Sequence, residues 1–171
     1  MRIKYFAFTL VTFCLTSCFH ANLFEAMRIS KNFIKEYTGL DTLIRIDGYY
    51  YMEDSTSVIS PFIFSNDNTF QISPGRYNHK NHAYIQKGLQ EDIGTRWMCK
   101  GNYNLLGDTI KTKWVIPYAL GGYYIYSGRY LIVNDTTIRR IWRSFESPVE
   151  KSETETNDIY HFYEYKFDKQ F

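Results

Sequence analysis

The chain has 171 residues, of which 19% are aromatic and 22% are charged, and its formal charge is +2. This length fits one domain with a sizeable core, and the near balance of charge argues against a nucleic-acid partner or a polybasic membrane-binding patch. Both excess charges, Arg2 and Lys4, lie in the first 17 residues. Without that segment, 18 basic and 18 acidic side chains remain.

The N-terminus has the pattern of an export signal. Arg2 and Lys4 precede a nearly uninterrupted apolar run that ends at Leu15, well short of the roughly 20 residues of a spanning helix. Leu15-Thr16-Ser17-Cys18 then resembles the lipobox of bacterial lipoproteins. The resemblance implies removal of residues 1–17 and lipidation of Cys18, including an acyl chain such as palmitate on the new amino terminus. The alternatives are an ordinary cleaved signal and an N-terminal core helix.

Lipidation at Cys18 would determine the location of the protein. Each buried methylene contributes about 0.8 kcal/mol, so two or three chains hold a domain firmly on a bilayer. No later segment resembles a transmembrane helix. The four residues after Cys18, Phe19-His20-Ala21-Asn22, carry no acidic side chain of the kind that marks surface export or inner-membrane retention. We therefore expect a lipid-anchored cell-envelope protein in the outer membrane, facing the periplasm.

The cysteines exclude a disulfide scaffold. Cys14 would leave with the signal and Cys18 would carry lipid, which leaves Cys99 without an intramolecular partner. Cys99 could be a redox or catalytic thiol, but no acid–base partner is near it in sequence. A small buried apolar side chain is the expected role.

One helix is predicted before a series of strands. Asn22 and Glu25 form a capping-box pattern, apolar residues then recur at helical spacing, and Gly39 follows as a helix end. The predicted organisation is therefore a signal (1–17), a lipidated N-terminus with an amphipathic helix (18–40), and a single β domain (41–171).

From residue 43 onward, apolar residues alternate with polar ones, as in half-buried strands. Strands are predicted at 43–52, at 57–65, around Phe70 and Ile72, and at 97–103, 110–116, 123–133, 136–145 and 158–167. A long loop is predicted at 74–95 and a polar linker at 148–157. Eight consecutive strands with short turns predict a mainly β fold, an antiparallel up-and-down barrel whose interior is filled by side chains or holds one small ligand.

The strand pattern resembles that of the lipocalin-like (calycin-type) bacterial lipoproteins. The matching residues are Gly48-Tyr49-Tyr50, then Phe64 with Asn68-Thr69-Phe70, then Trp97, Gly101, Tyr103 and Gly107-Asp108-Thr109-Ile110. Lipocalins have Gly-x-Trp in the first strand with a late arginine across the Trp, and Tyr50 stands at that position here. The resemblance implies that Arg139, Arg140 or Arg143 lies across Tyr50, and that the barrel binds small apolar molecules.

The aromatic residues predict a ligand site inside the barrel. The expected lining is Tyr50, Phe70, Trp97, Tyr103, Trp114, Tyr130 and Trp142. Two alternatives remain, because tyrosine is favoured at protein interfaces and also suits half-buried strand positions.

Catalysis has weaker support in the sequence. His79 and His82, with Glu91 and Asp92, could bind a metal such as zinc, although a solvated polar loop has the same composition. No nucleophile-elbow, phosphate-loop or dinucleotide-binding motif occurs. We expect no cofactor and no enzyme activity. The hypotheses, in order, are a ligand-binding lipoprotein, a packed-barrel subunit of an envelope assembly that docks a protein partner, and a metal-dependent enzyme.

Overall fold

The computed structural model describes residues 39–53, 58–73, 81–93, 99–118 and 122–167. The predicted signal, Cys18, the predicted N-terminal helix, His79 and Trp97 lie outside these residues.

The described residues form a closed antiparallel barrel of eight strands, in which each strand pairs with the next in sequence. The barrel closes where β1 pairs with β8, with Tyr50 opposite Phe162. The predicted mainly β fold and eight-stranded up-and-down barrel are confirmed. The strands are β1 (Gly48–Glu53), β2 (Val58–Phe64), β3 (Thr69–Ile72), β4 (Cys99–Leu106), β5 (Thr109–Tyr118), β6 (Gly122–Asn134), β7 (Thr137–Glu146) and β8 (Lys151–Glu164).

Alternation along the strands separates an inner from an outer face. In β5, Ile110 and Thr112 are buried, whereas the neighbouring lysines are only partly covered. In β1, Tyr50 joins the inner core and Tyr49 an outer cluster. A residue period of two thus divides the tyrosines between two separate cores.

The inner core is largely aromatic and fills one end of the barrel. Its rings meet mainly edge to face, as between Phe64 and Tyr103 (5.4 Å between centroids, 88°) and between Phe62 and Tyr160 (5.4 Å, 81°). The main buried members are Tyr50, Phe62, Phe64, Phe70, Tyr103, Ile110, Tyr130, Ile138 and Tyr160.

Short connections close the barrel at this end. A 3₁₀ turn at Leu40–Thr42 precedes β1 and places Leu40 and Ile44 in the inner core. The β4–β5 turn contains Gly107, whose φ of +61° suits glycine. Tyr50 Oη donates across the end to the carbonyl oxygens of Arg45 and Asp135, both at 3.0 Å.

One helix, α1 (His82–Asp92), lies within the segment 74–95 that was predicted to be a loop. Asn81 caps it by accepting a hydrogen bond from the Ala83 backbone N–H at 3.0 Å. Ile85 and Leu89, four residues apart, are buried against the outer face of the barrel. The prediction was wrong because two apolar residues on a polar segment give too weak a helical period.

Two strand boundaries also differ from the prediction. The first strand begins at Gly48 and not at residue 43, because the chain before it forms the 3₁₀ turn. The predicted linker 148–157 is mostly strand, since β8 starts at Lys151 and pairs with β7 from there onward. Its polar composition reflects an exposed strand and not a break in the sheet.

The buried tyrosines predict a loss of stability in alkali. Burial raises the pKa of Tyr160 from 10.0 to about 12, and it also raises the pKa values of Tyr50 and Tyr130. A folded-state pKa above the unfolded value means that the stabilisation is complete below pH 10 and is lost as the pH rises towards 12. We expect a constant free energy of unfolding up to about pH 10 and a steep fall above it. Tyrosinate absorbance of the folded and urea-unfolded chain checks this, and ionisation of every tyrosine near pH 10 in the folded chain would contradict it.

Candidate ligand-binding site

The end of the barrel opposite the short turns contains a cavity of about 460 Å³. The four longest strands, β5 to β8, form most of its wall. Its apolar and aromatic lining consists of Phe62, Ile72, Trp114, Tyr126, Phe145 and Tyr160. Its polar lining consists of Ser127, Arg140, Arg143, Ser144, Ser152 and Thr154.

A continuous aromatic surface forms one side of the cavity. Trp114 on β5 stacks on Tyr126 of β6, with centroids 5.2 Å apart and planes at 11°. Tyr126 in turn contacts Phe145 of β7 at 5.2 Å. These three residues occupy paired positions on adjacent strands, so the sheet register places the rings side by side.

Two arginines also reach the cavity. Arg140 forms an ion pair with Asp158 of β8, with its Nη2 and Nε atoms 2.7 and 3.0 Å from Asp158 Oδ2. Burial alone would lower the pKa of Arg140, but nearby Tyr160, Tyr130 and Asp158 outweigh burial and raise it. The guanidinium therefore stays charged. Arg143 lies nearer the rim, opposite Thr154, and is exposed to solvent.

A β-bulge places both arginines on the same wall. Arg129 and Tyr130, which are adjacent on β6, pair with Trp142 and Arg140 on β7, so Ile141 is the extra residue of the β6–β7 pair. Without that extra residue, Arg140 and Arg143, which are three residues apart, would face opposite sides of the sheet.

Gly128 leaves space for the buried Tyr130 ring. A Cβ atom there would lie 2.7 Å from Tyr130 Cε2 and 2.8 Å from Thr112 Oγ1, closer than packed atoms allow. The Tyr130 hydroxyl lies close to Arg140 and Thr112, but with hydrogen-bond geometry to neither. Tyr130 Oη and Thr112 Oγ1 are thus buried without a hydrogen-bond partner among the described residues.

The predicted lining residues lie in three different places. Trp114 lines the cavity. Tyr50, Phe70, Tyr103 and Tyr130 face inward as predicted, but they belong to the packed core and are not among the described lining residues. The closed end of the barrel uses these rings to exclude solvent.

Trp142 was expected inside the barrel and lies on the outer face. It pairs with the exposed Arg129, whose guanidinium carbon is 4.6 Å from its ring centroid. The expectation was wrong because the bulge at Ile141 reverses the alternation along β7, and no sequence pattern indicates such a bulge.

The arginine expected across Tyr50 is elsewhere. Arg140 lies 5.6 Å from the ring centroid of Tyr160, and Arg45 lies 4.7 Å from that of Phe162. Phe162 pairs with Tyr50 where β1 meets β8, so an arginine does cover an aromatic ring next to Tyr50. This arginine, Arg45, lies in the segment before β1 and not on β7.

His82, the described histidine of the metal-site candidate, is part of an aromatic cluster outside the barrel. Its Nδ1 lies 2.9 Å from Tyr49 Oη, and its ring stacks on Tyr163 at 3.8 Å. Within the described ranges, no three His, Cys, Asp or Glu side chains lie together in a group that could hold a metal ion.

Cys99 is half-buried against the inner core and forms no disulfide within the described part of the chain. Burial raises its pKa, which favours the thiol over the reactive thiolate.

Comparisons with protein-family models, with curated proteins and with solved structures find no match. Of the helices in the described ranges, none is long and apolar enough to cross a membrane.

The packing around Gly128 predicts a specific cost of substitution. Gly128→Ala should lower the free energy of unfolding by about 1–3 kcal/mol, because the buried Tyr130 ring has little room to move. In a Tyr130→Leu background, which removes the nearest atom, the cost of the alanine should fall by about half or more. Urea denaturation of the four chains measures this coupling. An equal cost in both backgrounds would contradict the proposed contact.

Proposed function

We propose that this chain is a lipid-anchored envelope protein that binds a small apolar or amphipathic molecule in the open end of its barrel. The observation that carries the proposal is the cavity of about 460 Å³. Protein sites for small ligands have volumes of roughly 300–1,000 Å³ and combine an apolar lining with a few polar groups. Half of the twelve described lining residues are apolar or aromatic, and the others are polar or charged.

The division of the barrel into a packed end and an open end supports this proposal. The aromatic core holds the strands rigidly together, so the cavity wall needs little ordering when a ligand enters, which lowers the entropic cost of binding. Trp114 and Tyr126 present stacked rings to the cavity.

The lipid anchor rests on the N-terminal sequence. The short positive segment, the apolar run and Leu15-Thr16-Ser17-Cys18 support export and acylation at Cys18. The protein would then bind its ligand at the periplasmic surface of the outer membrane.

Metabolic labelling tests the anchor. Cells supplied with an alkyne analogue of palmitate should label the wild-type chain and not a Cys18→Ser variant. Cys99→Ser is the matched control and should keep the label. An unlabelled wild type, or a labelled Cys18→Ser chain, would contradict lipidation at Cys18.

A neutral fluorescent probe tests the binding site. N-phenyl-1-naphthylamine has about 17 non-hydrogen atoms, so at about 0.3 kcal/mol per atom its dissociation constant should be on the order of 0.1 mM. Its fluorescence should rise on binding. Ser152→Trp, which fills the cavity from the inner face of β8, should weaken binding by about fivefold or more, since the side chain occupies the space of the probe.

Glu153→Trp is the matched control, because Glu153 is the next residue on the same strand and its side chain lies outside with Lys151. It should bind the probe as the wild type does. Binding that survives Ser152→Trp, or no binding by the wild type, would count against the cavity as a ligand site.

A further inference from the structure

The charge of the cavity lining is not balanced. Arg140 and Arg143 line it, and no acidic side chain is among the described lining residues. Asp158 neutralises Arg140 through the ion pair on the neighbouring strand. Arg143 makes no ion pair with any described residue. The cavity wall therefore has one excess positive charge.

The exposed Arg143 lies beside a part of the wall that is shielded from solvent. Arg140 and Asp158 are mostly shielded, with 16% and 30% of their side chains exposed. Beneath them lie the two buried hydroxyls, of Tyr130 and Thr112, that lack hydrogen-bond partners. A charge beside a low-dielectric wall acts over a longer range than one surrounded by water.

The strand register defines where the arginines and the aromatic rings lie along the cavity wall. Along β7, Arg140 and Arg143 come before Phe145, which is closer to the rim at the β7–β8 turn. Phe145 lies level with Tyr126, and Tyr126 with Trp114. A molecule in the cavity thus meets guanidinium groups on the inner side and aromatic rings nearer the opening.

We infer that the ligand is an organic anion with an apolar body, whose carboxylate or phosphate head lies at Arg140 and Arg143 and whose body packs on Trp114, Tyr126 and Phe145. This inference rests on the proposed ligand-binding function and specifies its chemistry. Arginine suits this role because its planar N–H groups match the paired oxygens of carboxylates and phosphates.

Two probes of nearly equal size and different charge test the inference. 2-Naphthoate should displace N-phenyl-1-naphthylamine at a concentration about tenfold lower than 2-naphthamide does, because only the carboxylate has a negative charge that pairs with the guanidinium groups. 2-Naphthyl phosphate should behave like the carboxylate. The preference should shrink on going from about 0.01 M to about 1 M salt, as screening increases.

Arg143→Gln should weaken 2-naphthoate binding about three- to tenfold and 2-naphthamide binding by a smaller factor. An unchanged far-ultraviolet circular dichroism spectrum checks that the variant is folded. Arg143→Lys should restore part of the preference. Arg129→Gln removes the same charge from the outer face, next to Trp142, and should have no effect.

The outcomes separate this inference from the function on which it rests. If the naphthylamine probe binds but neither 2-naphthoate nor decanoate competes better than its own amide, the anion inference fails and ligand binding stands. If no probe binds, the proposed function itself fails. If Arg129→Gln reduces naphthoate binding as much as Arg143→Gln does, the preference reflects overall charge and the inference is overturned.

The apolar body of the anion can be flexible or flat, as in a fatty acid released from a membrane or a free aromatic acid. Competition by decanoate and by decanamide tests the flexible apolar chain of a fatty acid. Competition by 2-naphthoate and by 2-naphthamide tests the flat ring system of an aromatic acid. A preference for the anion within either pair supports the inference, and the tighter of the two acids identifies the body. Absence of a preference in both pairs overturns it.

Discussion

Edge-to-face packing of inward aromatic rings is the interaction on which this structure depends. Phe62 contacts both Tyr130 and Tyr160 at centroid distances of 5.4 Å, so strands β2, β6 and β8 are joined across the interior and not only through their edges. Such contacts add about 0.5–1.5 kcal/mol each beyond the burial of area. These rings also fill the interior of the barrel at one end. Because the rings there are large, the barrel is solid near the short turns and leaves the opposite end for a cavity.

Two local features of β6 and β7 then shape the interior. The bulge at Ile141 turns Arg143 inward and Trp142 outward, and Gly128 leaves the space that the Tyr130 ring occupies. Each feature concerns a single residue. The chemistry of the site therefore depends on the backbone of β6 and β7 as much as on the lining side chains, and a regular β7 would present a different set of groups to the interior.

The predictable features of this chain are those with a clear period. The alternation of two lysines with Ile110, Thr112 and Trp114 identifies the inner face of β5, and the eight-strand barrel follows from repeating such segments. The bulge could not be foreseen, because in Arg139-Arg140-Ile141-Trp142-Arg143 neither alternation nor turn residues indicate which position is extra. Helix α1 was missed because only Ile85 and Leu89 are buried within it. Four of the predicted lining residues belong to the packed core and not to the cavity lining, since the sequence shows which tyrosines face inward but not where the packing ends.

The outer face has a separate role, since α1 and the tyrosines of β1 and β8 form a second core around Tyr49 and Ile63. This core covers one side of the barrel, and the cavity opens at the end.

Backbone NMR shift mapping with N-phenyl-1-naphthylamine tests most directly the division of the barrel interior into a packed end and an open end. The account predicts shifts at Trp114, Tyr126 and Phe145, with Phe64 and Tyr103 at the closed end unchanged. Shifts centred on α1, or spread equally over both ends of the barrel, would contradict it.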